Sequence, residues 1–335
     1  MALTHGVEGK SYGLWRYDSE IGAVHRENGY NSNATTNDFG FRNNESVLNP
    51  KPEGARRVIA YGGSTTFCYN LLNHQAWPLQ LQGLMRGQSK SSSATLSDST
   101  KIQVFNAGAI LWSIGHAYAR AKRDIPALNP DYVIIYSGIN EETNQHFLNL
   151  AGTPLEHFVA NNDYGKFATN LDQNRWGKRN LFIVRVFDYL IKPLLEGVRP
   201  VANASPAGAQ IDVTTTDDRN NLPLPVVEEN YQKTLLSFLD LIQENKAQAI
   251  FVAQAYGKDT PINRRYTAYS KRALELARKH GAITLDAQDM VDAHDGASQD
   301  LFSSSGVHYS ELGAAMLAEF IYQSVFADTP NLITP

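Results

Sequence analysis

Short, continuous apolar runs alternate along the chain with longer stretches in which apolar side chains recur every three or four residues. Arg57-Val58-Ile59-Ala60-Tyr61 is such a run and ends at Gly62-Gly63. Val104-Phe105 stops at Asn106-Ala107-Gly108, and Tyr132-Val133-Ile134-Ile135-Tyr136 closes at Ser137-Gly138. Ala249-Ile250-Phe251-Val252-Ala253 and Ala282-Ile283-Thr284-Leu285 complete the set. Runs of this length read as strands buried on both faces, as in a parallel sheet. Between them the period becomes helical. One helix is predicted from Thr65 to about Met85, with Trp77, Leu81 and Leu84 on one face. Others follow at 113–128, Glu228–Asn245, Arg264–His280 and Glu311–Phe326. This alternation predicts an α/β fold: a three-layer α/β/α sandwich around a flavodoxin-like, doubly wound parallel sheet of about five strands.

Two regions do not follow that rhythm. Residues 1–56, rich in Asn, Gly, Tyr and charge, read as an irregular N-terminal extension packed on the core. Residues 57–330 then form a single domain, with a polar surface loop over 87–101. Within it, 144–225 carries many aromatic residues, a helical stretch near 179–196 and a Pro-, Gly- and Thr-containing loop after it. A segment that long reads as an insertion, serving as a lid or a substrate wall.

Composition narrows the function classes. Apolar residues make up 42% and charged residues 19%, ordinary for a globular protein. The net charge of -4 gives no electrostatic footprint for nucleic acid. Cys68 is the single cysteine, which excludes an intrachain disulfide and argues against a cysteine zinc site, and it reads as a small buried hydrophobe. Asp286, Asp289, Asp292 and Asp295 lack calcium-loop spacing and read as a solvated face. No metal or cofactor is expected. No apolar run reaches a membrane span. The first residues lack a signal-peptide pattern, which points to the cytoplasm, or to the periplasm or exterior if the chain is a trimmed form.

Three strand ends carry reactive side chains, and ligands on such sheets sit beyond the carboxyl ends of the strands. Ser64 follows two glycines and opens a helix, where its own N–H favours negative charge. The plainer reading is a helix N-cap. Asn140 lies just past the Tyr132–Tyr136 run and can donate its amide to an oxyanion, or be an ordinary turn residue. His308 precedes the last helix and is the residue type that serves a serine nucleophile as base, although a loop histidine is more often structural.

In order and spacing these residues resemble the SGNH/GDSL hydrolases. Gly62-Gly63-Ser64-Thr65-Thr66 is similar to the first block, with Gly-Gly-Ser where others have Gly-Asp-Ser. Asn106-Ala107-Gly108 resembles the second, Gly138-Ile139-Asn140-Glu141 the third, and Gly306-Val307-His308 with Gly313 the fifth. Asn37-Asp38-Phe39-Gly40-Phe41-Arg42 is similar to a segment that precedes the first block in some members. The resemblance implies an esterase- or lipase-like enzyme on a small-molecule ester or acylated substrate, with Ser64 as nucleophile and His308 as base. The oxyanion would be held by the Ser64 N–H, the Asn140 side chain and a backbone N–H of the second block. That donor maps to Leu111 by counting, with Gly108 as the fallback. Gly63, Trp112, Glu141 and Val307 would flank the substrate; Trp112 is the aromatic preferred for contact, whereas Trp77 reads as core, and Trp176 lies in the insertion.

The chain departs from the pattern where the family has an Asp three residues before the His. Ser305 stands there. A Ser–His dyad oriented by Ser305 or a backbone carbonyl is the preferred reading. Recruitment of another carboxylate such as Asp300 or Glu141, and a degenerate site, stay open. So do two other functions: an acyltransferase or cyclase using the same residues, and a non-catalytic binding protein that kept the fold.

Overall fold

The computed structural model describes residues 11–18, 20–87, 102–110, 112–143, 224–257, 263–303 and 305–327. The N-terminal part holds four short strands. β1 (Ser11–Tyr12) pairs in parallel with β4 (Gly29–Tyr30), and β2 (Trp15–Asp18) makes a hairpin with β3 (Gly22–His25). Within this segment, expected to be irregular, residues 11–30 thus hold two small ribbons, while 31–55 holds no further strand or helix. Strands of two to four residues are too short for a period of two to show in the sequence.

The main domain runs β5 (Arg56–Gly62), α1 (Ser64–Phe67), α2 (Trp77–Met85), β6 (Ile102–Asn106), α3 (Ile114–Leu128), β7 (Tyr132–Ser137) and α4 (Ile139–Thr143). It continues with α5 (Leu224–Glu244), β8 (Gln248–Ala253), α6 (Asn263–Lys279), β9 (Ile283–Asp286), α7 (Ala287–Asp292) and α8 (Glu311–Ile321), which ends in a π-helical turn at Tyr322–Phe326. The five strands form one all-parallel sheet in the order β6-β5-β7-β8-β9. Counting sheet strands only, that is the flavodoxin-like order, whose switch point lies between β5 and β7.

Successive strand residues enter opposite cores, as the pleat requires. Ile59, Tyr61, Val133, Ile135 and Phe251 pack under α3, α5 and α6. Val58, Ala60, Ile134, Tyr136, Ile250 and Val252 pack under α2, α7 and α8. Burial on both faces is why these runs show no polar alternation, and each large side chain so buried contributes about 1.5–3 kcal/mol. The edge of β6 is covered by the extension. Asn43 donates its amide to the Val104 carbonyl at 2.9 Å and accepts from the Asn106 N–H at 2.9 Å, taking the place of a neighbouring strand.

One predicted helix is broken. Where a single helix was expected from Thr65 to Met85, α1 ends after one turn at Cys68 in a left-handed conformation, φ 60°. Asn70 is left-handed as well, a 3-10 turn follows at Asn73–Gln75, and α2 starts at Trp77-Pro78. Pro78 marks that start, since a proline fits the first turn of a helix and not its interior. Of the acidic run, Asp286 caps α7 by accepting from the Gln288 N–H at 3.0 Å, while Asp289, Asp292 and Asp295 are exposed. The 87–101 loop beyond Gly87, the 144–225 insertion up to residue 223 with its helix near 179–196, and Trp176 lie outside the described residues.

Candidate active site

β5 and β7 are neighbours, with Gly62 opposite Tyr136, so the turns that leave them open side by side at the switch point. Ser64 comes from the first turn and Asn140 from the second. The approach is close enough to require glycine. A Cβ on Gly63 would sit 2.9 Å from the Trp112 carbonyl oxygen and nearer still to Asn140 Nδ2. The serine turn is tied down from below: Thr66 Oγ1 donates to the Tyr136 carbonyl at 3.2 Å, and Asn106 Nδ2 donates to the Thr66 carbonyl at 2.8 Å. Arg42, fully buried in the segment singled out before the first block, donates to the carbonyls of Phe67, Cys68 (2.7 Å) and Leu71 and to Asn73 Oδ1 (3.1 Å). It binds carbonyls at and just beyond the end of this one-turn helix.

Ser64 Oγ lies 2.8 Å from His308 Nε2. The histidine is carried on a loop closed by its own backbone: the Ser303 N–H donates to the His308 carbonyl at 2.7 Å, and Phe302 bridges Tyr309. Tyr309 fixes that loop to the sheet through a 2.7 Å hydroxyl contact with Tyr136. On the other side of the imidazole, Nδ1 lies 3.2 Å from Ser305 Oγ. Ser305 Oγ also accepts from the N–H groups of His308 at 3.1 Å and Val307 at 3.3 Å, and lies 3.0 Å from Ser303 Oγ. Burial pushes the His308 imidazole down to about 4, so the ring is neutral at neutral pH.

Asn140 is half-buried and donates Nδ2 to the Trp112 carbonyl at 2.8 Å. The Ser64 N–H is the first of α1 and has no intrahelical acceptor. Gly108 does not fit as an oxyanion donor, because its N–H already donates to Asn106 Oδ1 at 3.0 Å. Leu111 lies outside the described residues.

Several side chains expected near the substrate face elsewhere. Glu141 is fully buried and its Oε1 accepts from the Ile114 N–H, so its carboxyl serves neither His308 nor a ligand surface. Trp112 is 2% exposed, in a cluster with Leu14, Trp15, Ile21 and Val24 of the N-terminal ribbons, which cover its ring. Val307 is partly buried against the core. Cys68 is buried, its thiol is pushed up to about 11 by desolvation, and it accepts from the Trp77 N–H at 3.4 Å, the behaviour of a packing residue.

Two residues near the site had not been singled out. Half-buried Tyr69 stands with its ring centroid 5.4 Å from that of His308. Buried Gln254, just past β8, accepts from the Ile139 N–H at 2.8 Å and donates to Thr65 Oγ1, linking the serine turn to the asparagine turn. Its position one residue beyond the Ala249–Ala253 run was the available signal, because that is where such sheets place functional groups. Among the described residues no group of three His, Cys, Asp or Glu side chains is gathered as a metal would need, and no helix is long and apolar enough to cross a membrane.

No protein-family model and no curated protein matches the chain. Solved structures similar to it include a putative lipolytic protein of the G-D-S-L family from Desulfitobacterium hafniense, at 15% identity and TM-score 0.46 over 80% of this chain and 99% of that one. The acetylxylan esterase Axe2 from Geobacillus stearothermophilus matches at 15% identity and TM-score 0.47 over 80% and 93%. A putative GDSL-like lipase from Parabacteroides merdae matches at 15% identity and TM-score 0.47 over 80% and 94%.

Proposed function

We propose that this chain is a serine hydrolase of the SGNH/GDSL type that cleaves a small-molecule carboxylic ester through an acyl-enzyme on Ser64. The observation that carries this reading is the 2.8 Å contact between Ser64 Oγ and His308 Nε2 at the switch point of the sheet. With Nε2 free to accept, the neutral ring carries its proton on Nδ1 and donates it to Ser305 Oγ. The Ser305 hydroxyl passes its own proton towards Ser303 Oγ. Attack of Ser64 on the ester carbonyl moves the hydroxyl proton to Nε2. The resulting oxyanion meets the Ser64 N–H and the Asn140 amide, donors held in place before the reaction begins. Collapse expels the alcohol, which takes the proton back from Nε2, and water repeats the sequence on the acyl-enzyme.

The missing carboxylate sets the character of this site. A serine oxygen orients the imidazole but brings no charge to stabilise the imidazolium. The reading is therefore a Ser–His dyad steered by a hydroxyl. Reaction with a fluorophosphonate probe tests it: wild-type protein takes the label on Ser64 and hydrolyses short-chain aryl esters, and Ser64→Ala does neither. Ester hydrolysis by the Ser64→Ala protein at the wild-type rate overturns the assignment.

A further inference from the structure

Glu141 is a buried carboxyl that the proton transfers above do not use, and its surroundings are unusual. It is fully buried, Oε1 accepts from the Ile114 N–H, and Oε2 has no hydrogen-bond partner among the described residues. Leaving a buried carboxyl oxygen unpaired costs free energy that an apolar side chain of similar size would not cost. The three residues that open α4 each hold a different piece of the site. The Ile139 N–H is bound by Gln254, the Asn140 amide grips the Trp112 carbonyl, and Glu141 grips Ile114, the first residue of α3. The gripped segment is the one whose Trp112 carbonyl packs against Gly63, immediately before the serine.

We propose that Glu141 is a positioning residue for the oxyanion side of this site: with Asn140 beside it, it clamps the 112–114 turn and so sets where the Asn140 amide stands relative to Ser64. The inference rests on the esterase reading above for its catalytic consequence, but not for the clamp itself. The clamp responds to protonation. Desolvation pushes the Glu141 carboxyl up to about 7, against the bound N–H of Ile114 and the nearby N–H dipoles of Glu141 and Gly138, which favour the anion. From the neighbouring α5, the titratable group facing it is the buried Tyr231 phenol, which stays neutral and donates to the Ser137 carbonyl at 3.2 Å. Loss of the Glu141 proton strengthens the bond to Ile114 at the positive end of α3 and tightens the turn.

Two measurements test this. The first follows the Ile114 amide resonance against pH. It titrates with a midpoint near that of Glu141 in the wild type and stays flat in Glu141→Gln; a wild-type resonance that does not move overturns the clamp. The second measures turnover. Glu141→Ala lowers kcat by about tenfold to a hundredfold with KM within about twofold, the effect of a displaced transition-state contact. Glu141→Gln, which keeps an acceptor of the same shape, recovers most of that loss but lacks the rise in kcat that the wild type shows across neutral pH. Equal losses in the two variants, or a Gln variant with the wild-type pH profile, overturn the positioning role. If the alanine variant does not fold, the Gln profile and the Ile114 titration decide. A wild type that no fluorophosphonate labels sinks the esterase reading alone, and the first measurement still decides the clamp.

Discussion

His308 Nδ1 faces Ser305 Oγ at 3.2 Å, and that oxygen is at the same time the acceptor of two backbone N–H groups and the neighbour of Ser303 Oγ. A hydroxyl oxygen has two lone pairs, and here three N–H donors converge on it. The pocket is therefore built with more donors than its occupant can satisfy. Ser305→Asp places a carboxylate where those donors point and gives the imidazolium a charged partner. Ester hydrolysis rises, and the acidic limb of kcat/KM moves to higher pH, because a nearby anion raises a histidine pKa. An unchanged rate and pH profile would show that residue 305 does not govern the base.

In the wild type, that limb lies well below the range of an ordinary imidazole. Burial lowers His308 from 6.5 to about 4, so Nε2 keeps its lone pair in mildly acidic solution. Hydrolysis by Glu141→Gln, which lacks the Glu141 step near neutral pH, stays on its plateau past the usual histidine titration as the pH falls and declines only near the lowered value. A limb centred on the ordinary 6.5 would mean that the ring is more solvated than its burial implies.

The same burial has a stability consequence with a definite sign. His25, His116 and His308 are pushed by desolvation to about 3, 4 and 4, so between these values and 6.5 the unfolded chain binds three protons that the folded one does not. Glu141 works the other way. Raised from 4.5 to about 7, it keeps in the folded state a proton that the unfolded chain has lost. Each group is worth about 1.4 kcal/mol per pH unit, so the net effect is a loss of roughly 3 kcal/mol for each unit of acidification across pH ~5 to 6. Urea unfolding midpoints fall steeply over that interval. Glu141→Gln removes the opposing contribution, so the variant gains on the wild type above the Glu141 midpoint, in a comparison of the two at about pH 8.

Ser64→Ala and Asn140→Ala separate nucleophile from oxyanion support. The first abolishes covalent labelling and leaves ester hydrolysis at background. The second leaves labelling detectable and lowers turnover by roughly a hundredfold or more, the usual effect of one oxyanion donor. Equal, complete loss of labelling in both would point to a collapsed turn and not to a missing donor.

The five sheet strands were legible because burial on both faces makes them uniformly apolar, and their ends at Ser64, Asn106–Gly108 and Gly138–Asn140 could be read as one crevice from the rule for parallel sheets. The break after α1 was not legible. Phe67 and Leu71 are spaced i, i+4 through it, Trp77, Leu81 and Leu84 resume helical spacing beyond it, and only Pro78 marks where the second helix starts. The role of Trp112 was misjudged for a different reason. Its ring is covered by Leu14, Trp15 and Val24, contacts separated by nearly a hundred positions and formed by strands too short to be seen in the sequence. Gln254 and Glu141 belong to the same class: each accepts from a backbone N–H, and a sequence does not show which backbone N–H a side chain reaches.

Gly63 gives the sharpest test of how tightly this crevice is built. Its backbone, at φ -88° and ψ -151°, lies in a region that residues with a Cβ also adopt, so an alanine there meets no severe backbone penalty. The obstacle is space. The new methyl would sit 2.9 Å from the Trp112 carbonyl oxygen and closer still to Asn140 Nδ2, so the asparagine amide must give way. Ser64 and His308, on the other side of the turn, need not move. Gly63→Ala therefore lowers kcat by about tenfold to a hundredfold, as misplacement of a reacting contact does, while Ser64 still takes a fluorophosphonate label. A second change, Asn140→Ala, removes the group that the methyl strikes. In the double variant Gly63→Ala costs much less than it does alone, and the shortfall from additivity measures the contact between residues 63 and 140. Full additivity of the two losses would mean that the methyl acts through the Trp112 carbonyl and the turn behind it, and that the Asn140 amide is not what Gly63 makes room for.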